Sequence, residues 1–228
     1  MIIAVSGVDC AGKSTQIELL KQYFVSRGMS CTVFWYRPGY SREFQMVKDF
    51  SRKCLASLKA LRTAPKAEGK GQNSAGKQKV PAPLWIVSAL FDSAVQWGLR
   101  LRMLERKYDV VICDRYVRDG CLDLIFKYPD YVWSESIFKT ISLAFPKPDV
   151  SFLLWLPYET VLERASIKQE PFPDDPHIRE LRWHAYEYQV KLSELEDITV
   201  IDAAASIEQT HDQMIEAIKK AMPASAPQ

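Results

Sequence analysis

Five short runs rich in apolar and β-branched residues recur along the chain, at residues 2–7 (IIAVSG), 31–36 (CTVFWY), 109–114 (DVVICD), 150–156 (VSFLLWL) and 198–202 (ITVID). Each run is continuous rather than alternating, and longer stretches of helical period separate them. Continuous apolar strands are covered on both faces, and strands interleaved with helices predict an α/β fold with a five-stranded parallel sheet. Right-handed crossovers then gather the loops that follow the strands along one edge, where open α/β sheets bind their ligands.

After the first run, Ile17, Leu20, Tyr23 and Phe24 fall at helical spacing and Gly28 supplies a stop, which predicts a helix over 14–27. A second helical pattern covers 84–106 and carries Trp85, Leu90, Phe91, Trp97, Leu101 and Leu104 as core positions. Between these helices, residues 64–83 (APKAEGKGQNSAGKQKVPAP) lack aromatic residues and are rich in Gly, Pro, Lys and Gln. Such a segment cannot bury enough surface to offset the entropy of ordering it, so it is expected to be a flexible surface insertion in one domain spanning 1–222. From Lys59 to Lys79 six basic residues face Glu68 alone, which reads as a solvated loop or, alternatively, as a contact for an anion or acidic partner. Residues 223–228 read as a frayed tail.

Composition narrows the function classes. With 228 residues, 47% hydrophobic and 25% charged, the chain can bury one substantial core, and a net charge of +2 does not mark nucleic acid or a membrane as its principal partner. Its cysteines form no C-x-x-C pair and its histidines no H-x-x-x-H, which argues against a disulfide framework or a zinc site. No signal peptide is read before the first strand, and no apolar run approaches the roughly 18 residues that span a bilayer. A reduced, cytoplasmic protein is expected.

The candidate chemistry begins at the end of the first strand. Residues 7–14 (GVDCAGKS) satisfy G-x-x-x-x-G-K-[ST] between a strand and a helix, the context that marks a phosphate-binding loop. Gly7 and Gly12 let the backbone amides of Cys10, Ala11, Gly12, Lys13, Ser14 and Thr15 converge on phosphate oxygens at a helix N-terminus. Lys13 adds a charge near the β and γ phosphates, and Ser14 a hydroxyl for Mg²⁺. The third strand ends in Asp114, which puts a carboxylate at the same sheet edge, available to Mg²⁺ or to cap the following helix. Arg115, beside it, is expected to face the phosphates. A nucleoside triphosphate and Mg²⁺ are the ligands these residues call for.

The loop GVDCAGKSTQ, the RPG at Arg37–Gly39, the DRY at Asp114–Tyr116 and the segment KPDVSFLLWLPYETVLER at 147–164 together resemble thymidylate kinase and its close relatives over most of residues 1–202. The resemblance implies a P-loop NTPase fold of the nucleoside monophosphate kinase type, with a lid over 165–177. It implies that Asp9 lies between acceptor and metal, that Arg37 and Arg115 bind the acceptor phosphate, and that Arg164 at the lid base and Lys168 within it serve catalysis. Relatives often pair as homodimers.

The chain also departs from the family pattern. Many members carry an arginine at the position of Val95, where a valine has no donor to offer a base. The segment DRYVRDGCLDLIF replaces a serine- and glutamine-bearing one. Within 165–178 the only cation is Lys168, which lacks the planar fork of an arginine, and Arg164, Arg179 or Arg182 is an alternative source of that charge. The leading expectation is an ATP- and Mg²⁺-dependent kinase of a nucleoside monophosphate, dTMP first. The alternatives are a kinase of another small acceptor and a weakly catalytic nucleotide-binding protein. The only asparagine is Asn73, so the guanine-reading N-K-x-D motif is absent.

Overall fold

The computed structural model describes residues 1–39, 81–167, 175–192 and 197–221. Five strands, β1 (Ile2–Gly7), β2 (Cys31–Trp35), β3 (Val110–Asp114), β4 (Val150–Trp155) and β5 (Thr199–Asp202), form one sheet in the order β2-β3-β1-β4-β5. Every neighbouring pair is parallel. The central strand β1 is buried along its whole length, as its unbroken apolar run requires. Because β1 is flanked by β3 on one side and β4 on the other, the order reverses there, and a crevice opens at its carboxyl end.

Two clusters fill the two faces. On one, Ile3 and Val5 of β1 pack with Ile17, Leu20 and Phe24 of α1 (Lys13–Val25) and with Met214 and Ile218 of α8 (Ile207–Ala221). The predicted stripe of the first helix is thus its buried face. Gly28 ends it as expected, at φ 75°, with the amide of Met29 reaching back to the Phe24 carbonyl at 3.1 Å.

On the other face, Ile2 and Ala4 pack beneath a long helix and a helical pair. The long helix runs as α2 (Ala82–Ser93), a π-helical segment (Ala94–Arg100) and α3 (Leu101–Lys107). It begins with Pro81 as cap, so the expected insertion ends earlier than residue 83; a proline in the first turn starts a helix rather than prolonging a loop. Residues 64–80 of that insertion, and the tail 223–228, lie outside the described residues. The π segment carries the fully buried Trp97, whose indole fills a notch at Gly120, where a Cβ would stand 2.4 Å from the ring. Gly120 belongs to α4 (Val117–Lys127), which packs with α5 (Val132–Ser142).

Between β4 and β5 come α6 (Tyr158–Ile167) and α7 (Pro176–Lys191). Residues 165–167 of the expected lid complete α6, and Asp175 caps α7 by accepting from the His177 amide at 3.0 Å. Positions 168–174 fall outside the described residues. No helix among the described residues is long and apolar enough to cross a membrane.

Candidate active site

The loop after β1 has the backbone its glycines announce. Gly7 (φ 147°), Cys10 (φ 66°) and Gly12 (φ 85°) all take positive φ, and Gly12 is the cap of α1. At Gly7 a Cβ would lie 2.8 Å from the Leu154 carbonyl oxygen, so this position is closed to side chains by β4 as well as by conformation. Lys13 is buried, and its Nζ donates to the carbonyls of Gly7 at 3.0 Å and Val8 at 2.7 Å. Ser14 and Thr15 are exposed in the first turn of α1.

Asp114 ends β3 beside β1, in register with Val5. Burial raises its pKa, opposed by the charges of Lys13 and Arg115, while burial and the Arg115 charge lower that of Lys13. Each shift marks the same electrostatic cluster, in which Lys13, Arg115, Asp9, Asp114 and Asp119 feel one another. The structure therefore brings the loop lysine and the strand-end carboxylate together at one edge.

Arg115 sits at φ 72°, its amide donating to Val5 at 3.1 Å. Its Nη2 meets Asp9 Oδ1 at 2.6 Å and its Nη1 lies 3.6 Å from Asp119 Oδ1. Burial opposes its charge, yet the carboxylates of Asp119 and Asp9 more than compensate and hold it protonated. Two of the candidates, Asp9 and Arg115, are thus paired with each other.

Asp119 belongs to no motif of the sequence, and it organises this corner. It is 1% exposed and accepts from Ser6 Oγ at 2.6 Å, from the Tyr116 amide at 3.2 Å, and from the Tyr186 hydroxyl. One turn further along α4, Asp123 holds Arg37 by both oxygens, Nε to Oδ2 at 2.8 Å and Nη2 to Oδ1 at 2.9 Å. Arg182 of α7, itself 1% exposed, reaches the same Oδ1 at 2.6 Å. The signal in the sequence is two carboxylates four residues apart in the helix after the DRY; Ser6, Tyr186, Arg37 and Arg182, which they hold, lie far away along the chain.

Of the remaining candidates, Arg164 is half-buried in the last turn of α6, with no hydrogen bond or ion pair to this cluster among the described residues. Lys168 lies outside them. Arg179 is in the first turns of α7. Val95 is half-buried in the π segment. The aromatic residues of α7 divide: Tyr186 is fully buried and Trp183 packs on Trp155 at 4.7 Å, but Tyr188 is 64% exposed.

No family model matches the chain. It is similar over nearly its whole length to curated proteins named for one activity. A protein of Saccharolobus solfataricus named probable thymidylate kinase 1 is 26% identical, with 96% of this chain and 97% of that one aligned. The probable thymidylate kinase of Thermococcus kodakarensis is 27% identical over 96% of this chain and 97% of its own length. The thymidylate kinase of Mycoplasmopsis pulmonis is 26% identical over 96% and 88%.

Proposed function

We propose, from the premise that this chain is a phosphotransferase of the thymidylate kinase family, that it moves the γ-phosphoryl group of ATP to dTMP with Mg²⁺ as cofactor. The observation that carries this reading is the juxtaposition of a glycine-shaped phosphate loop with Lys13, Asp114 and the Asp9–Arg115 pair at the carboxyl end of β1 and β3.

Phosphoryl transfer needs in-line positioning and dispersal of charge more than a covalent nucleophile. In this reading the amides of Cys10 to Thr15 cradle the triphosphate, and Lys13 exchanges its loop carbonyls for phosphate oxygens. Arg115 is held by Asp9 between the two substrates, where a guanidinium stabilises charge on the migrating group. Arg37 binds the acceptor phosphate. Arg164, at the base of the expected lid, and Lys168, within it, are read as the source of further positive charge.

The Ser14 hydroxyl and the Asp114 carboxylate are hard oxygen donors, and such a sparse pair fits Mg²⁺, which keeps most of its waters. No group of three or more His, Cys, Asp or Glu fit for a metal cage occurs among the described residues. When bound, the ion neutralises phosphate charge and orients the leaving oxygens.

The test is ADP release with ATP and Mg²⁺ across a panel of ribo- and deoxyribonucleoside monophosphates. Turnover with dTMP above the other acceptors is expected, and turnover that no nucleotide stimulates would refute the reading.

A further inference from the structure

Two pairs of residues, each spaced by four, face one another across α4 and α7. Asp119 and Asp123 lie on α4; Tyr186 and Arg182 lie on α7, and each carboxylate takes one partner. The first rung reaches on to Arg115 and the second to Arg37. The first rung is buried and the second partly so, with Asp123 at 9% and Arg37 at 13% side-chain exposure, and the Arg182 guanidinium also lies over the Phe126 ring at 5.6 Å.

Asp123 is a short side chain in the middle of a helix, so it has little freedom to swing away. Its bidentate grip fixes both the position and the plane of the Arg37 guanidinium, which a single hydrogen bond would leave free to rotate. Arg182 is enclosed at 1% exposure with its guanidinium on Asp123, and it sits in α7, the helix that opens at Pro176.

We propose that Asp123 is a positioning residue for the acceptor: it presents Arg37 to the acceptor phosphate and, through Arg182, couples that arginine to α7. The proposal rests on the reading of Arg37 as the acceptor-phosphate ligand. Displacement of α7 then alters acceptor binding without touching the phosphate loop.

The experiment is steady-state kinetics on folded full-length protein, using the nucleoside monophosphate turned over fastest. Asp123→Asn is expected to raise the acceptor KM about tenfold while the KM for ATP changes less than twofold. Arg182→Met is expected to reproduce most of that rise. The double variant should match Asp123→Asn alone, because residues acting through one contact are not additive. Should Arg182→Met fold poorly, Arg182→Lys keeps the charge but not the geometry, and a smaller rise in acceptor KM is expected. An acceptor KM that neither Arg182 variant moves, or a rise shared equally by ATP, would overturn the proposal. Arg37→Ala separates the two layers. If it leaves the acceptor KM unchanged the acceptor assignment itself falls, whereas a large rise there with none from Asp123 or Arg182 defeats only the positioning role.

Discussion

Tyr186 donates its hydroxyl proton to Asp119 across the contact between α7 and α4, and both groups are buried from solvent. Asp119 is 1% exposed, and its partners are Tyr186, Ser6, the Tyr116 amide and Arg115. Burial first, and the Asp119 charge next, push the Tyr186 hydroxyl well above its ordinary pKa, which keeps it a donor. Tyr186→Phe removes one of these donors while preserving the ring, and a loss of about 1.5–3 kcal/mol is expected for a buried bond to a charged group. Asp119→Ala removes the hub and should cost about 3–5 kcal/mol, since it leaves the buried Ser6 and Tyr186 hydroxyls without their acceptor and takes away one of the two carboxylates facing Arg115. Urea unfolding checks both. A Tyr186→Phe midpoint equal to the wild type would show that the hydroxyl does not hold the two helices together.

Two glycines of the phosphate loop are expected to behave differently for a physical reason. At Gly12 a Cβ would meet nothing within 4 Å, so only its φ of 85° resists substitution. Gly12→Ala should therefore cost about 1–2 kcal/mol through the left-handed backbone alone. At Gly7 the same conformational demand is joined by a collision with the Leu154 carbonyl at 2.8 Å. Gly7→Ala is expected to be the more destabilising of the two and to abolish ATP binding, because β4 backbone cannot yield as a flexible side chain would. Calorimetric titration of ATP and thermal unfolding of both variants measure the order; the reverse order would contradict it.

What the sequence disclosed follows from the range of the interactions. The five strands, the buried stripe of α1, its Gly28 stop and the strand–loop–helix frame of the phosphate motif are local patterns, and each is found where its residues predict. The Asp9–Arg115 contact is of another kind, since nothing local to either residue points to the other. Asp123 illustrates what stays hidden: its meaning lies in Arg37, 86 positions away, and Arg182, 59 positions away. A charged residue on a helix reads by default as solvated, and only the packing of α7 over α4 makes these carboxylates interior. Pro81 and Pro83 show the opposite error, where turn-forming residues counted toward a loop prove to be a helix start.

The loop lysine and the strand-end carboxylate should exchange stability for activity. Burial raises the Asp114 pKa, so the folded chain holds that proton to higher pH than the unfolded chain does. Above the ordinary value of 3.8 the folded state is then disfavoured progressively as pH rises through the folded pKa. Asp114→Asn is accordingly expected to stabilise the nucleotide-free protein at neutral pH. The same variant should lower Mg²⁺-dependent turnover by about 10²-fold or more, given the several kcal/mol that a metal contributes to phosphoryl transfer. Lys13→Ala should abolish turnover while leaving a cooperative fold. Melting curves and ADP release together decide it: a destabilised Asp114→Asn, or unchanged turnover in either variant, would contradict these assignments.

The acid side of the stability profile points to a different residue. His211 of α8 stands edge-on to Tyr23 of α1 at 6.4 Å between ring centres, and its Nδ1 is buried with no hydrogen-bond partner among the described residues. Burial lowers its pKa below the ordinary 6.5, only partly offset by Asp212. Below pH 6.5 the unfolded chain therefore takes up a proton that the folded chain resists, and stability is lost as pH falls through the folded pKa. His211→Phe keeps a ring against Tyr23 and removes the titration. Its urea midpoint is expected to fall less than that of the wild type between about pH 7.5 and 5.0, by on the order of one titrating group's contribution. Equal losses in the two proteins would place the acid sensitivity elsewhere, because the aromatic contact between α8 and α1 is kept in both and only the titrating nitrogen differs.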